Sequence, residues 1–107
     1  MSEINKREEG FEKKFALDEE QKFKAEVRRN RLLGLWAAEK LGISGEAATA
    51  YAKEVVAADF EEAGDDDVVR KVAADFTAKS VAITEQAIRA KMSELIAIAA
   101  AEVKAGK

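Results

Sequence analysis

The chain has no cysteine, no histidine and no proline. Without cysteine there is no disulfide framework and no thiolate chemistry, and a reducing cytoplasm suits such a protein. Without histidine, Ser-His-Asp and Cys-His nucleophile systems are excluded, as are ordinary structural zinc sites. Without proline, helices run free of forced kinks and glycine must do most of the punctuating. No apolar run reaches the roughly 20 residues of a membrane span, and the N-terminus is charged where a signal peptide would be apolar. A soluble protein that stays in the cytoplasm is expected. Only carboxylate, lysine or tyrosine chemistry remains open to an enzyme, and nothing in the sequence recommends it. The expectation is a protein that is not an enzyme and requires no cofactor or metal.

What is present favours helix. The 107 residues suffice for one domain with a single core, 48% are apolar and 36% charged, and Ala, Glu and Lys dominate. Four helices are predicted, over about 18–41, 44–62, 66–80 and 84–104. "DEE" at Asp18 opens the first and Gly42 ends it. Phe23, Val27, Leu32, Leu33, Leu35, Trp36, Ala37 and Leu41 thicken its apolar stripe toward the C-terminal half, so packing should be tight there and loose before about Phe23. Its N-terminal end should project beyond the shorter second and third helices.

Ser44 is a predicted cap for the second helix, with Ala48, Tyr51, Ala52, Val55, Val56 and Phe60 facing inward and Gly64 as the stop. The acids Asp65, Asp66 and Asp67 open the third as a cap and dipole complement, ahead of Val69, Val72, Ala73 and Phe76. Thr84 caps the fourth, with Ile88, Met92, Leu95, Ala99 and Val103 as its buried stripe. The fold class is all-α: a four-helix bundle over 18–107 behind a flexible, nascent-helical N-terminal segment over 1–17.

That segment carries Phe11 and Phe15 one turn apart amid charge, with too little else apolar to bury them. As core residues they lack a stripe to join. As partner anchors they need only fold on arrival, with Leu17 and flanking Lys13 and Lys14. The anchor reading is the stronger, and the core reading stays open.

Two other features are weighed. Lys22, Lys24, Arg28, Arg29 and Arg31 form a basic cluster, but Asp18, Glu19, Glu20 and Glu26 lie among them, leaving a net +1 over Asp18 to Arg31. A solvated face with internal ion pairs is preferred to nucleic-acid binding. Arg29, Leu33 and Trp36 share one side of the first helix, where an Arg beside an indole could hold a nucleotide phosphate and stack its base, although no standard nucleotide loop exists. Trp36 as plain core is the competing reading. Gly34, mid-helix, either admits a close neighbour, softens the helix, or is merely tolerated.

The stretch "FALDEEQKFKAEVRRNRLLGLWAAEKLG" from Phe15, followed by "AYAKEVVAADFEEAGDDDVVRKV", strongly resembles the zeta subunit family, inhibitors of the alphaproteobacterial F-type ATP synthase. "RRNRLLGLWAAE" and "YAKEVVAADFEEAG" are its most specific marks, and the likeness covers essentially the whole chain. The resemblance implies a four-helix bundle whose mobile N-terminal segment becomes helical and wedges between alpha and beta subunits, against the gamma stalk, blocking ATP hydrolysis and rotation. It implies that Phe11, Lys13, Lys14, Phe15 and Leu17 contact this partner. It further implies ADP or ATP as a possible regulatory ligand, and a cytoplasmic protein peripheral to the inner membrane through the synthase, with no nucleic-acid partner and no direct membrane insertion. The alternative is a nucleotide-sensing or scaffold bundle that does not itself inhibit.

Overall fold

A computed structural model describes residues 17–59 and 65–107. Within them lie four helices: α1 (Glu19–Leu41), α2 (Gly45–Ala58), α3 (Asp66–Ala78) and α4 (Glu85–Lys104). Helix α1 begins where Asp18 stops the backbone in an extended conformation. Its carboxylate accepts from the Gln21 amide at 2.8 Å while the Gln21 side chain accepts from the Asp18 amide at 3.2 Å. This reciprocal pair satisfies two amide donors that a helix start leaves orphaned. At the other end Gly42 takes a left-handed φ of 79°, and the Ile43 amide reaches back to the Ala38 carbonyl at 2.8 Å, closing α1 as the sequence predicts.

Helix α1 packs against all three others, most extensively α2 and α4. Beside its C-terminal half, Leu33, Ala37, Val55, Val69, Val72, Phe76 and Ile88 are fully or almost fully buried in one cluster, with Trp36 and Leu95 packed at its edge. Fully burying a side chain such as Phe76 stabilises the bundle by about 1.5–3 kcal/mol. Beside the N-terminal half the contact thins to Ala25 against Ala99 and Ala100, flanked by Leu17, Leu32, Ile96 and Val103. The expected gradient from loose to tight packing is therefore present. The N-terminal half of α1 does not stand clear of the bundle, however, because the long α4 runs beside it: Arg28 bonds Glu102 at 3.2 Å and also donates to the Lys107 carbonyl.

Several boundaries differ from expectation. Helix α2 ends at Ala58 rather than near Glu62. One turn beyond buried Val55 the inward position is Asp59, so continuing the helix would bury no further apolar side chain there. Phe60 lies outside the described residues. Ser44 has the extended backbone of a cap but makes no capping bond. Thr84 does cap α4, accepting from the Ala87 amide at 3.1 Å. Helix α3 ends at Ala78 rather than Ser80, whose φ of 57° is left-handed. Val68 and Ala100 join the core beyond the predicted stripes, whereas Leu35 and Phe23 remain exposed.

Gly34 is resolved by its neighbour. A Cβ placed there would lie 2.6 Å from the Ala52 Cα and 3.1 Å from its Cβ. The glycine is what lets α1 and α2 approach to backbone contact.

Candidate functional site

The N-terminal end of the bundle is built from the start of α1 and the end of α4. Asp18 breaks the helix, and Leu17 just before it turns onto the cluster formed by Ala25, Ala99 and Ala100. Alongside runs a groove of about 530 Å³ lined by Phe23, Val27 and Val103, with Lys24, Arg28 and Arg31 on its rim. Phe23 is 54% exposed. Lys24 is held by Glu20 at 3.2 Å, the pair expected from their spacing. Of the residues predicted to meet a partner, Leu17 is packed on the bundle itself. Phe11, Lys13, Lys14 and Phe15 lie outside the described residues.

Arg29 is not on a solvated face. It is 5% exposed, and its guanidinium makes a forked pair with Asp65 at 2.8 and 3.2 Å while donating to the Asn30 side-chain oxygen at 2.9 and 3.1 Å. The aspartate triplet serves accordingly. Asp65 makes no capping bond and instead holds Arg29, Asp66 pairs with Arg89 at 2.9 Å, and Asp67 pairs with Arg70. Asp66 and Asp67 still sit in the first turn of α3, where negative charge suits the dipole. A small cleft beside this latch is lined by Arg29, Asp65, Arg89, Met92, Ser93 and Ile96. Trp36 does not line it. Its ring packs edge-on to Phe76, with centroids 5.8 Å apart, and Lys91 lies 5.7 Å from the indole.

The groove and the latch were missed by sequence reasoning for the same reason: each joins residues far apart in the chain. Arg29 and Asp65 stand 36 positions apart, and Val103 reaches the groove from the opposite end of the sequence. Among the described residues no three potential ligands cluster for a metal, and no helix is long and apolar enough to cross a membrane.

Residues 1–102 match the family described as ATPase inhibitor subunit zeta. The chain belongs to that family. Its fold is shared with a protein solved by solution NMR that is 54% identical, at a TM-score of 0.70, over 79% of this chain and 96% of that one. No curated protein matches the chain. Membership in an inhibitor family makes this a regulatory protein that acts on an ATP synthase.

A second polar cluster fastens α2 to α3 in this zeta-family bundle. The Tyr51 hydroxyl donates to Asp75 at 2.7 Å, and Lys71 bonds Asp75 at 2.9 Å and Glu54 at 3.0 Å while lying 5.1 Å from the Tyr51 ring. Burial raises the Tyr51 pKa well above its usual value, and the hydrogen bond and negative charge of Asp75, with the charge of Glu54, raise it further. For Lys71 burial acts downward, but the bonds to Asp75 and Glu54 outweigh it and the net shift is upward. Both groups hold their protons more tightly in the folded state. Their contribution is complete below about pH 10 and is lost as pH rises beyond it. Tyr51 is the only tyrosine, so tyrosinate absorbance reports it alone. That absorbance is expected to appear only as helicity collapses, and a tyrosinate signal near pH 10 with the circular dichroism intact would contradict the geometry.

Proposed function

We propose that residues 1–16 are the inhibitory element, folding into a catalytic interface between alpha and beta subunits of the synthase, against gamma, and stopping ATP hydrolysis and rotation. The carrying observation is that the family match begins at residue 1, so the charged stretch with Phe11 and Phe15 falls inside it. An i, i+4 aromatic pair flanked by Lys13 and Lys14 has the form of an amphipathic anchor that binds in an apolar groove. Physical separation of roles also supports the reading. The described helices bury Leu33, Phe76 and Ile88 among themselves, leaving the bundle to act as the base from which the segment works.

The test is ATPase inhibition by the full chain beside a chain beginning at Leu17, which is retained because it packs on the bundle. Loss of inhibition with an unchanged melting temperature is expected. Equal inhibition by the two chains would overturn the mechanism and assign inhibition to the bundle, and no inhibition by either would leave the scaffold or nucleotide-sensing alternative.

The regulatory ligand proposed for the bundle is ADP or ATP near Arg29. The cleft favours this by gathering Arg29, Arg89 and Ser93, but a phosphate must displace Asp65 to reach Arg29, and Trp36 must respond from outside the cleft. Amide shifts at Arg29, Arg89 and Ser93 on adding ADP are the signature, and their absence removes nucleotide from this site.

A further inference from the structure

We propose that the groove between α1 and the end of α4 is the resting seat of this chain's own residues 8–16, with Phe11 and Phe15 placed against Phe23, Val27 and Val103. Three observations select this occupant over others. The first is where the chain enters. Leu17 and Val103 both pack against the cluster of Ala25, Ala99 and Ala100, and Val103 also lines the groove. Phe15 is therefore two residues from the groove's edge and Phe11 six, a reach of up to roughly 7 and 20 Å for extended chain.

The second is the direction imposed at Asp18. Its extended backbone and reciprocal bonds with Gln21 end the helix there, so the upstream chain is released from the axis of α1 and free to turn across the seam. The third is charge. Residues 8–16 carry Glu8, Glu9 and Glu12 against Lys13 and Lys14, a net −1, and the groove presents Lys24 and Arg28, already paired with Glu20 and Glu102, together with Arg31 and Lys107. Arg31 makes no ion pair among the described residues. Tethering supplies an effective concentration on the order of millimolar, so contacts too weak to hold a free peptide suffice. A second copy would have none of this advantage.

The consequence rests on the proposed inhibitory role of the segment: a seated segment must leave its groove before it can enter the synthase, and its apparent affinity falls by the fraction seated. The seating itself is tested on the isolated chain, independently of any ATPase assay. The chain has no native cysteine, so Gly10→Cys carries a single nitroxide, and Ser2→Cys provides a second position should a label at residue 10 disturb the contact. Selective broadening of the Phe23, Val27, Val103 and Gly106 amides is expected, with α2 and α3 spared. In a Phe23→Ser, Arg31→Glu background the broadening should fall at least twofold. Weak uniform broadening, or a profile unchanged in that background, overturns the proposal. So does broadening of unlabelled protein mixed with labelled protein, which assigns the groove to a second copy. No broadening in either sample leaves the groove to another molecule and equally overturns it.

Discussion

Asp65→Ala is expected to destabilise the bundle by about 2–3 kcal/mol, more than any ordinary surface aspartate would. The reason is the partner left behind. Arg29 is 5% exposed and projects from the middle of α1. With Asp65 gone its charge retains only the neutral oxygen of Asn30. Breaking a fully buried pair costs more, but the Asp65 side chain is 48% exposed, and water entering the vacated position recovers part of the loss. Chemical denaturation measures the change directly, and a loss below about 0.5 kcal/mol, the usual range for surface positions, would show that the latch is not a buried charge pair.

The same arrangement dictates how the loss can be repaired. Arg29→Met added to Asp65→Ala removes the orphaned charge but strips Asn30 of both its donors. Asn30 is fully buried and its amide nitrogen already lacks a partner among the described residues. Stability should therefore return substantially only when Asn30→Leu is added as well, giving an apolar replacement of the whole network. A double variant as stable as the triple would show that Asn30 is indifferent to Arg29.

How much of this was legible in the sequence depended on the range of the interaction. Local chemistry was readable: Asp18 and Gly42 bound α1, Thr84 caps α4, and the three-and-four spacing of Val69, Val72 and Phe76 finds the buried face of α3. Ser44 shows the limit even there, since an extended serine before a helix has the right backbone without the capping bond. Contacts across the bundle were not readable. The basic residues between Lys22 and Arg31 look alike in sequence, yet Lys24 stays at the surface, Arg28 ties down the chain's end and Arg29 is buried on Asp65, the residue ahead of α3. Lys24 meets Glu20 within α1, but the partners that set Arg28 and Arg29 apart, Glu102 and Asp65, come from α4 and from the residue ahead of α3. Phe23 belongs to the apolar pattern of α1 but is exposed because the helices beside it do not cover that flank. The inhibitory role proposed for the N-terminal segment rests on resemblance to the zeta family, and its proposed anchor residues rest on aromatic spacing together with that resemblance.

Gly34→Ala tests a contact for which local and global rules predict opposite signs. Within an isolated helix the change stabilises by about 1 kcal/mol, because alanine loses less backbone freedom on folding. Here the new methyl would stand 2.6 Å from the Ala52 Cα and 3.3 Å from a Val55 methyl. The nearest atom is backbone in the middle of α2, so no rotamer change relieves it and the helices must separate. Separation would disturb the layer containing Leu33, Ala37, Tyr51 and Val55, which belong to the main cluster. Overpacking of this kind costs about 1–3 kcal/mol, and the net expectation is destabilisation, seen as a fall in melting temperature of about 4–8 °C per kcal/mol. Ala52→Gly in the same chain removes the methyl clash but leaves the Cα in place, so it should restore only part of the loss. If Gly34→Ala instead raised the melting temperature, α1 and α2 would have to lie farther apart than this packing shows, and the glycine would be a tolerated substitution.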